Sequence, residues 1–414
     1  MAGLARRIWR LLPRSFRHQV FTHATALTAP REARNHPAAA PISVIGFLKG
    51  TTGLGEGARL QADALAAWGH APLIHPVTGP FGQDDLPDTA LTGSPLPEVP
   101  GPGTALIHLN PHMLPLGLRL TGRARLQGRR IVGYWAWELP RMPKAWKLGL
   151  PFVDEVWAPS RFTADAIRPF TDKPVHVVPH PVALPYEGQD IPGRVDRGGF
   201  GLPDSAFITL VMFHMGSSFE RKNPLGAIRA FKQAFGADPS RLLVVKAADM
   251  DSYPDAAQTL MQAIGEAPNI RIMPEKLSRE RIRDLVRSVD CVLSLHRSEG
   301  FGLVLAEAMV AARPVVATAW SANLDFMSEQ TACMVPCGFV PVVDPQENYT
   351  EPDQHWAAPD EQAAAAHLVA LAEDQAAALA LGQAARASVL KDLGLEGYVR
   401  AVKDLLPAPD GSTP

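Results

Sequence analysis

The chain of 414 residues has little cysteine, no dominant charge and no long apolar run. Its three cysteines, Cys291, Cys333 and Cys337, are too few for a disulfide framework and wrongly spaced for a zinc ribbon, which favours a reducing compartment. The formal net charge of −2 gives no electrostatic argument for binding nucleic acid. No segment reaches the about 18 apolar residues of a membrane span. We therefore expect a cytoplasmic globular protein, and the length predicts two domains.

Residues 1–20 differ from the rest of the chain. Leu4, Ile8 and Leu11 fall on one side of a helical wheel, and Arg6 and Arg10 fall on the other. The arginines interrupt the apolar residues, so the segment lacks the core of a secretory signal. A short basic amphipathic helix suits an anionic membrane surface, which would place the protein at the inner face of the membrane. The alternative is a helix that packs on the protein itself with its basic face in solvent.

Alternating strand and helix patterns predict a two-domain α/β protein with parallel sheets. We divide it into a basic N-terminal segment and connector (1–40), a first domain with its linker (41–200), a second domain (201–390) and a C-terminal helix and tail (391–414), which could pack back on the first domain. The predicted strands are 42–48, 72–77, 104–109, 130–135, 155–158 and 175–178, followed by 207–213, 242–246, 269–273, 291–295 and 314–318. Helices are predicted at 56–68, 225–235, 256–264, 278–286 and 303–311, with two or three more within 360–406.

Two glutamates, Glu299 and Glu307, bracket the sequence Gly300-Phe301-Gly302 between a predicted strand and a predicted helix. A strand that leads into a helix through two glycines exposes backbone N–H groups at the positive end of a helix dipole, where a phosphate can bind. The two acids suit hydroxyl groups on either side of that phosphate. A diphosphate flanked by two polyols is a nucleotide sugar. The alternative is an ordinary strand–turn–helix unit whose acids are a dipole partner and a solvated helix residue.

This segment resembles the Glu-(seven residues)-Glu signature of the retaining family-four glycosyltransferases. The resemblance, which extends by motif order over residues 41–400, implies the GT-B fold, in which two Rossmann-like domains face each other across a cleft. It implies that Glu299 binds the donor sugar, that Glu307 binds the nucleotide ribose, and that the amides of Gly300, Phe301 and Gly302 hold the diphosphate. It further implies a nucleoside-diphosphate sugar as substrate and no bound metal or other cofactor.

Cationic residues follow the first strand of the second domain, in the sequence Ser217 to Pro224. Negative charge grows on a departing nucleotide diphosphate, so a fixed cation at this edge of the sheet lowers the barrier to transfer. Lys222 matches a lysine of the resembled family, whereas Ser217 stands near the position of the family's arginine. Arg221 is the candidate to replace that arginine. The alternative is a helix N-terminus with solvated charges.

The first domain begins with a glycine-rich loop that includes Gly55 and Gly57. The loop fits the dinucleotide pattern G-x-G-x-x-A, which would indicate a nicotinamide dehydrogenase. That function needs a ribose-binding acid after the next strand, and the sequence Leu73 to Val77 has none. The resemblance implies that this loop approaches the donor phosphates or the acceptor.

Two groups of residues at strand ends are candidates for the acceptor side. Trp135 and Trp137 could stack on sugars. Glu138 could bind an acceptor hydroxyl or the donor sugar, and the resemblance implies that it fills the role of a histidine that contacts the donor sugar in many relatives. His108 and His112 end the preceding strand, where alternation could indicate a metal. Pro111 between them and the lack of a nearby carboxylate favour polar contacts to the acceptor, with buried structural tryptophans and histidines as the alternative.

Together these features predict a retaining glycosyltransferase that needs no protein nucleophile, because the leaving phosphate helps to deprotonate the acceptor. The donor is guessed to be GDP-mannose, with UDP-sugars next, and the acceptor a glycan or lipid-linked oligosaccharide in polysaccharide biosynthesis. Two alternatives stay open: a non-catalytic subunit of a polysaccharide assembly complex, and a GT-B-fold sugar-nucleotide epimerase or phosphorylase. Neither nucleic acid nor metal is expected as a partner.

Overall fold

The computed structural model describes residues 22–190, 195 and 197–409, so the amphipathic segment predicted at 1–20 lies outside the described residues. The described chain divides into two compact units. The first unit comprises residues 22–181 together with 395–409, and the second comprises the described residues between 182 and 394. The C-terminal residues thus belong to the same unit as the N-terminal half of the chain.

The first unit is built on a seven-stranded sheet with the order β3-β2-β1-β4-β5-β6-β7, in which all neighbouring strands are parallel. The strands are β1 (Ile42–Gly46), β2 (Leu73–Pro76), β3 (Ser94–Pro95), β4 (Thr104–His108), β5 (Arg130–Tyr134), β6 (Glu155–Ala158) and β7 (Val175–Val177). β1 and β4, near the middle of the sheet, are buried at every position, as expected of a parallel sheet covered on both faces.

Residues 22–28 of the first unit are helical. Its further α-helices are α1 (Gly53–Trp68), α2 (Leu114–Thr121), α3 (Arg123–Leu126), α4 (Arg161–Ile167) and, from the end of the chain, α12 (Leu395–Val402). α1 ends at Gly69, which adopts the left-handed conformation (φ 104°) that glycine takes without strain. α12 packs against α1, and the buried Tyr398 hydroxyl donates to Gln61 Oε1 at 2.9 Å. This contact joins the C-terminal helix to the first helix of the sheet.

The second unit is built on a six-stranded parallel sheet with the order β10-β9-β8-β11-β12-β13. The strands are β8 (Phe207–His214), β9 (Arg241–Ala248), β10 (Ile270–Met273), β11 (Cys291–Ser294), β12 (Val315–Thr318) and β13 (Cys333–Val335). An antiparallel hairpin of β14 (Cys337–Pro341) and β15 (His355–Pro359) follows β13. The helices are α5 (Phe219–Lys222), α6 (Pro224–Phe235), α7 (Pro254–Ile264), α8 (Arg279–Ser288), α9 (Leu303–Val310), α10 (Glu361–Glu373) and α11 (Gln375–Leu393).

The two faces of this second sheet carry different side chains. Leu243, Val245 and Ala247 alternate along β9 and belong to one apolar core with residues of α6, α7 and α10, such as Phe231 and Leu260. Because side chains alternate along a strand, Val244 and Lys246 lie on the opposite face. No residue of α8 or α9 belongs to this apolar core. α9 contacts β11 and β12, and we assign it to the opposite face of the sheet.

The structure confirms the predicted fold class of two parallel α/β sheets, each of Rossmann-like topology. In the part of the chain that the structure describes, no single helix is long and apolar enough to cross a bilayer. The consecutive segments Glu361–Glu373 and Gln375–Val402 reach that apolar length only when taken together, with a bend of 108° between them.

A buried ion pair holds the start of the second unit to its sheet. The Arg197 guanidinium, 2% exposed, lies 2.6 Å from Asp290 Oδ2 and donates to the carbonyl oxygens of Ser288 and Ala206, among others. Asp290 Oδ2 also accepts from the backbone N–H of Ile208, the second residue of β8. The pair therefore fixes the entry to β8 from two directions.

We predict that Arg197→Ala lowers the free energy of unfolding of the second unit by about 3–5 kcal/mol, because it leaves a buried carboxylate and several carbonyl groups without their donor. Urea denaturation of the full chain measures this loss. Arg168→Ala is the matched control, because its partner Asp165 is exposed and such pairs contribute about 0–1 kcal/mol. Equal losses in the two variants would contradict this account of Arg197.

Candidate functional site

The order of strands in the second sheet reverses between β8 and β11, since β9 and β10 lie on one side of this point and β12 and β13 on the other. In open parallel sheets ligands bind in the crevice at the carboxyl ends of the two strands that flank such a point. Two loops leave these strand ends: residues 215–223, here called the cation loop, and residues 295–302, here called the glutamate loop. They carry Lys222 and Glu299, respectively.

Glu299 and Lys222 join the two loops through an ion pair. Lys222 Nζ lies 2.5 Å from Glu299 Oε1, and Arg221 Nη1 lies 3.2 Å from Glu299 Oε2. Burial of Glu299 by itself would raise its pKa, but the charges of Lys222 and Arg221 outweigh burial and lower that pKa to about 2. The carboxylate is therefore ionised at neutral pH and can accept hydrogen bonds from hydroxyl groups.

Arg221 and Lys222 differ in what they offer a ligand. Arg221 is 4% exposed, and its guanidinium donates to the carbonyl oxygens of Ser298 and Ser217 at 2.8 and 2.9 Å. Arg221 thus links the cation loop to the glutamate loop through its two terminal nitrogens. Its predicted contact with a diphosphate stays a prediction. Lys222 keeps 17% of its side chain exposed. Lys222 is therefore the more accessible cation of the two.

The backbone around the ion pair is strained at three non-glycine residues. Ser218, Asn223 and Ser321 have φ values of 66°, 47° and 78°, which L-residues rarely adopt. Each side chain holds the strained turn in place: Ser218 Oγ accepts from the N–H of Arg221, Asn223 Nδ2 donates to the carbonyl of Leu295, and Ser321 Oγ accepts from the N–H of Glu299 at 2.8 Å. Such strain concentrates at functional sites, where surrounding contacts maintain it.

The segment between β14 and β15, residues 342–354, forms hydrogen bonds with the cation loop. The sequence analysis did not predict these contacts. Asp344 Oδ1 accepts from the Ser218 hydroxyl at 2.9 Å. The Gln346 amide accepts from the N–H of Phe219 at 2.6 Å and donates to the carbonyl of Met215 at 2.9 Å. We refer to Asp344 and Gln346 as the clamp. Because the clamp binds both sides of the turn, it fixes the conformation that presents Lys222.

The glycine turn leads into α9 as the sequence predicts. Gly302 adopts φ 98°, and α9 begins at the next residue. Phe301 is buried and packs on Phe326 with ring centroids 5.2 Å apart, which anchors the turn to the loop after β12. Glu307, half-buried, lies in the second turn of α9. Its negative charge contributes to the raised pKa of Tyr186, for which burial is the largest cause.

His296 links the glutamate loop to the turn after β12. Its Nε2 lies 3.2 Å from Asn323 Oδ1 and 3.3 Å from the carbonyl oxygen of Trp320, and its Nδ1 lies 3.2 Å from the Ser294 hydroxyl. Because both neighbours of Nε2 are acceptors, Nε2 carries the proton and Nδ1 accepts from Ser294. Burial lowers the pKa of His296, in keeping with a neutral ring.

In the first unit, Gly55 and Gly57 occupy positions where a side chain would collide with neighbours. A Cβ atom on Gly55 would lie 2.4 Å from the carbonyl oxygen of Gly50, and one on Gly57 would lie 2.4 Å from His180 Cε1. The glycines therefore allow α1 to start against the loop that precedes it and against His180. This close packing accounts for both residues without a ligand, although it leaves the predicted donor contact untested.

The tryptophans predicted to form a stacking surface are packed inside the first unit. Trp135 is completely buried and Trp137 is 6% exposed. The Trp137 indole donates to the carbonyl of Arg141 at 2.8 Å and packs edge-on against Trp146. Their aromatic faces are thus covered by protein, which favours the alternative of buried structural tryptophans over a stacking surface. Glu138, between buried neighbours, is half-buried.

His108 and His112, the histidines offered as polar contacts to the acceptor, lie in different surroundings. His108 is completely buried and stacks on Tyr134 with centroids 4.4 Å apart, and burial lowers its pKa well below the usual value. Neither ring nitrogen has a hydrogen-bond partner among the described residues, so burial favours the structural alternative and a contact with an acceptor stays a prediction. His112 is half-buried, with its ring centroid 5.7 Å from that of Trp146. Among residues with described positions, no cluster of three or more His, Cys, Asp or Glu side chains could hold a metal ion.

Comparison with known proteins agrees with this geometry. Residues 209–346 match the family model described as Glycosyl transferases group 1, a range that contains both loops of the site and the clamp. This part of the second unit is therefore similar to group 1 glycosyltransferases. No curated protein matches the chain in sequence.

Solved structures match almost the whole chain at low identity. Anabaena HepE, solved with UDP and glucose, has a TM-score of 0.60 and 15% identity over 88% of this chain and 99% of its own. Sucrose-phosphate synthase from Thermosynechococcus elongatus has a TM-score of 0.60 and 16% identity over 89% and 98%. A glycosyltransferase from Rickettsia africae has a TM-score of 0.60 and 15% identity over 90% and 98%. The chain therefore has the GT-B fold.

Two substitutions at Ser321 separate backbone strain from hydrogen bonding. Ser321→Gly removes the acceptor for the Glu299 N–H but relieves the strain, whereas Ser321→Ala removes the same acceptor and keeps the strain. We predict that Ser321→Ala loses about 1–3 kcal/mol of unfolding free energy and that Ser321→Gly loses clearly less. Urea denaturation of the two variants measures the difference. A glycine variant that is no more stable than the alanine variant would refute the strain at this position.

Proposed function

We propose that the protein is a retaining glycosyltransferase that takes its sugar from a nucleoside diphosphate. One observation carries the proposal: an ionised Glu299 and the Lys222 ammonium lie 2.5 Å apart at the switch point of a parallel sheet, next to the glycine turn at the start of α9. An acceptor for sugar hydroxyl groups, a cation for phosphate and the backbone N–H groups at the start of α9 thereby share one edge of the sheet. The family match of residues 209–346 supports the same conclusion.

The proposed roles of these residues follow from the negative charge that develops on the diphosphate during sugar transfer. When the bond between the anomeric carbon and the donor phosphate breaks, the diphosphate gains negative charge, and the Lys222 ammonium with the N–H groups of the glycine turn stabilises it. Glu299 orients the sugar through its hydroxyl groups, and Glu307 binds the ribose. In a retaining transfer the acceptor hydroxyl attacks the face from which the phosphate leaves and gives its proton to that phosphate. No protein nucleophile is then required.

The donor is proposed to be a UDP- or GDP-sugar, and the acceptor a glycan or a lipid-linked oligosaccharide in polysaccharide biosynthesis. HepE, one of the structural neighbours, was solved with UDP-glucose, which makes that sugar nucleotide a natural first probe. GDP-mannose is the second. A thermal-shift screen with UDP-, GDP- and ADP-sugars identifies the donor, because a ligand of the folded state raises its apparent stability. Transfer to a glycan acceptor then distinguishes an enzyme from a subunit that only binds nucleotide sugars.

Substitutions of Lys222 and of Glu307 should affect different quantities, the rate of transfer and the affinity for the nucleotide, respectively. We predict that Lys222→Ala lowers kcat by about 10²–10³-fold with a smaller effect on donor binding, because the cation acts on charge that develops during transfer. Glu307→Gln should weaken nucleotide binding by about tenfold or less, because it removes one charged acceptor of a ribose hydroxyl. Steady-state kinetics and calorimetry with UDP measure both effects. Wild-type values in both variants would reject the assignment.

The clamp gives a prediction for a residue that does not touch substrate. Gln346→Ala frees the Phe219 N–H and the Met215 carbonyl, so the cation loop relaxes and Lys222 loses its fixed position. We predict a fall in kcat of about tenfold or more at nearly unchanged affinity for UDP, since misplacement by about 1 Å can have such an effect. Val343→Ala, in the same segment but 68% exposed, is the matched control. A Gln346 variant that loses stability but keeps kcat would show that the clamp is structural only.

A further inference from the structure

The second unit contains a buried cation whose hydrogen-bonding capacity the protein does not use. Lys246, near the carboxyl end of β9, is 2% exposed. Among the residues with described positions, none forms a hydrogen bond or ion pair with its ammonium group, and the nitrogen atom itself is not completely enclosed by protein. An ammonium group has three donors, and burying it without acceptors is unfavourable. The position therefore calls for an acceptor that a ligand can supply.

The register of the sheet locates Lys246 relative to the candidate site. Lys246 is paired with Met212 of β8 on one side and with Met273 of β10 on the other. Continuing the register of β8 with β11 places Ser294 next in the same row. Neighbouring strands are about 4.8 Å apart, so the Cα atoms of Lys246 and Ser294 are about 10 Å apart. Lys246 also lies on the sheet face opposite the α6–α7 core, the face on which α9 carries Glu307.

The surroundings of Lys246 favour a neutral acceptor over a phosphate. Burial lowers the pKa of Lys246, and the nearby charge of Glu275 opposes this effect without forming an ion pair. Glu275 partly balances the ammonium charge, and a second anion in the same place would be repelled by that carboxylate. Met212 and Met273 on either side are apolar and adaptable, as suits a flat ring. A carbonyl oxygen on a heteroaromatic ring meets all of these conditions.

We propose that Lys246 donates a hydrogen bond to a carbonyl oxygen on the base of the donor nucleotide, so that the site selects uracil or guanine over adenine. This inference rests on the proposed function, which places the diphosphate at the glycine turn and the ribose at Glu307. The nucleoside then extends from α9 across the carboxyl ends of β8 and β9, where Lys246 lies. Uracil and guanine carry exocyclic carbonyl groups, whereas the exocyclic group of adenine is an amine, which is a donor and repels an ammonium group.

Calorimetric titration of the wild-type protein with UDP, GDP and ADP is the first test, and we expect UDP or GDP to bind at least tenfold more tightly than ADP.

The second test uses variants of Lys246. Lys246→Met keeps the length of the side chain and removes its donors. We expect this variant to bind the preferred nucleotide about ten- to a hundredfold more weakly and ADP with unchanged affinity. Lys246→Gln keeps a neutral hydrogen-bond donor, so its affinity for the preferred nucleotide should lie between those of the wild-type protein and of Lys246→Met. Lys232→Met is the matched control, because Lys232 binds only the carbonyl groups of Ala263 and Ile264.

The results of these titrations can overturn the role of Lys246 without overturning the proposed function. Preferred binding of ADP by the wild-type protein, or an unchanged preference in Lys246→Met, overturns the role of Lys246 and leaves the proposed function intact. An equal loss of affinity for all three nucleotides shows that Lys246 binds their shared ribose diphosphate, which also overturns base selection. Failure of all three to bind the wild-type protein rejects both. The wild-type ranking decides the matter even where a Lys246 variant does not fold.

Discussion

The ion pair between Lys222 and Glu299 is the interaction on which the rest of the site depends. It joins two loops that leave neighbouring strands in opposite directions, and Arg221 reinforces it by binding Glu299 and the carbonyl groups of both loops. The same two loops are also joined by the Asn223 amide, which donates to the carbonyl of Leu295, and by the N–H of Arg297, which donates to the carbonyl of Arg221 at 2.7 Å. The ion pair also sets the charge of the site, because it keeps Glu299 ionised despite its burial.

The surroundings of that pair consist of strained turns held by side chains. Ser218 and Ser321 occupy backbone conformations that suit glycine, and each uses its hydroxyl group to bind a residue of the site. Glycine at either position would remove the strain and the hydrogen bond together. The hairpin segment adds Asp344 and Gln346 from outside. The geometry of Lys222 is therefore set by several weak contacts acting jointly.

The sequence predicted most of the sheet strands and central helices because their apolar runs are long and flanked by glycine or proline. It also brought Lys222, Glu299 and the glycine turn to one sheet edge, since parallel strands place their carboxyl ends together. The hairpin of β14 and β15 was missed, because its prolines and turn residues give no alternating pattern. The sequence left the burial of Trp135 and His108 open as an alternative, since a large ring at a strand end is equally compatible with a core and with a surface. Lys246 gave no signal, because a lysine within an apolar run is distinguished only by what surrounds it.

The resting state of the site has a consequence for catalysis. Lys222 and Glu299 are paired in the structure, and Glu299 also contacts Arg221. Under the proposed function, a donor that binds between Lys222 and Glu299 replaces each charge's partner with one of its own: phosphate oxygens for the ammonium and sugar hydroxyl groups for the carboxylate. A ligand that supplied only hydroxyl groups would leave the Lys222 ammonium without its anion, and one that supplied only phosphate would leave Glu299 with Arg221 alone. Separating a buried ion pair without replacing both partners is unfavourable. The proposed function therefore implies that the pair recognises phosphate and sugar as a unit.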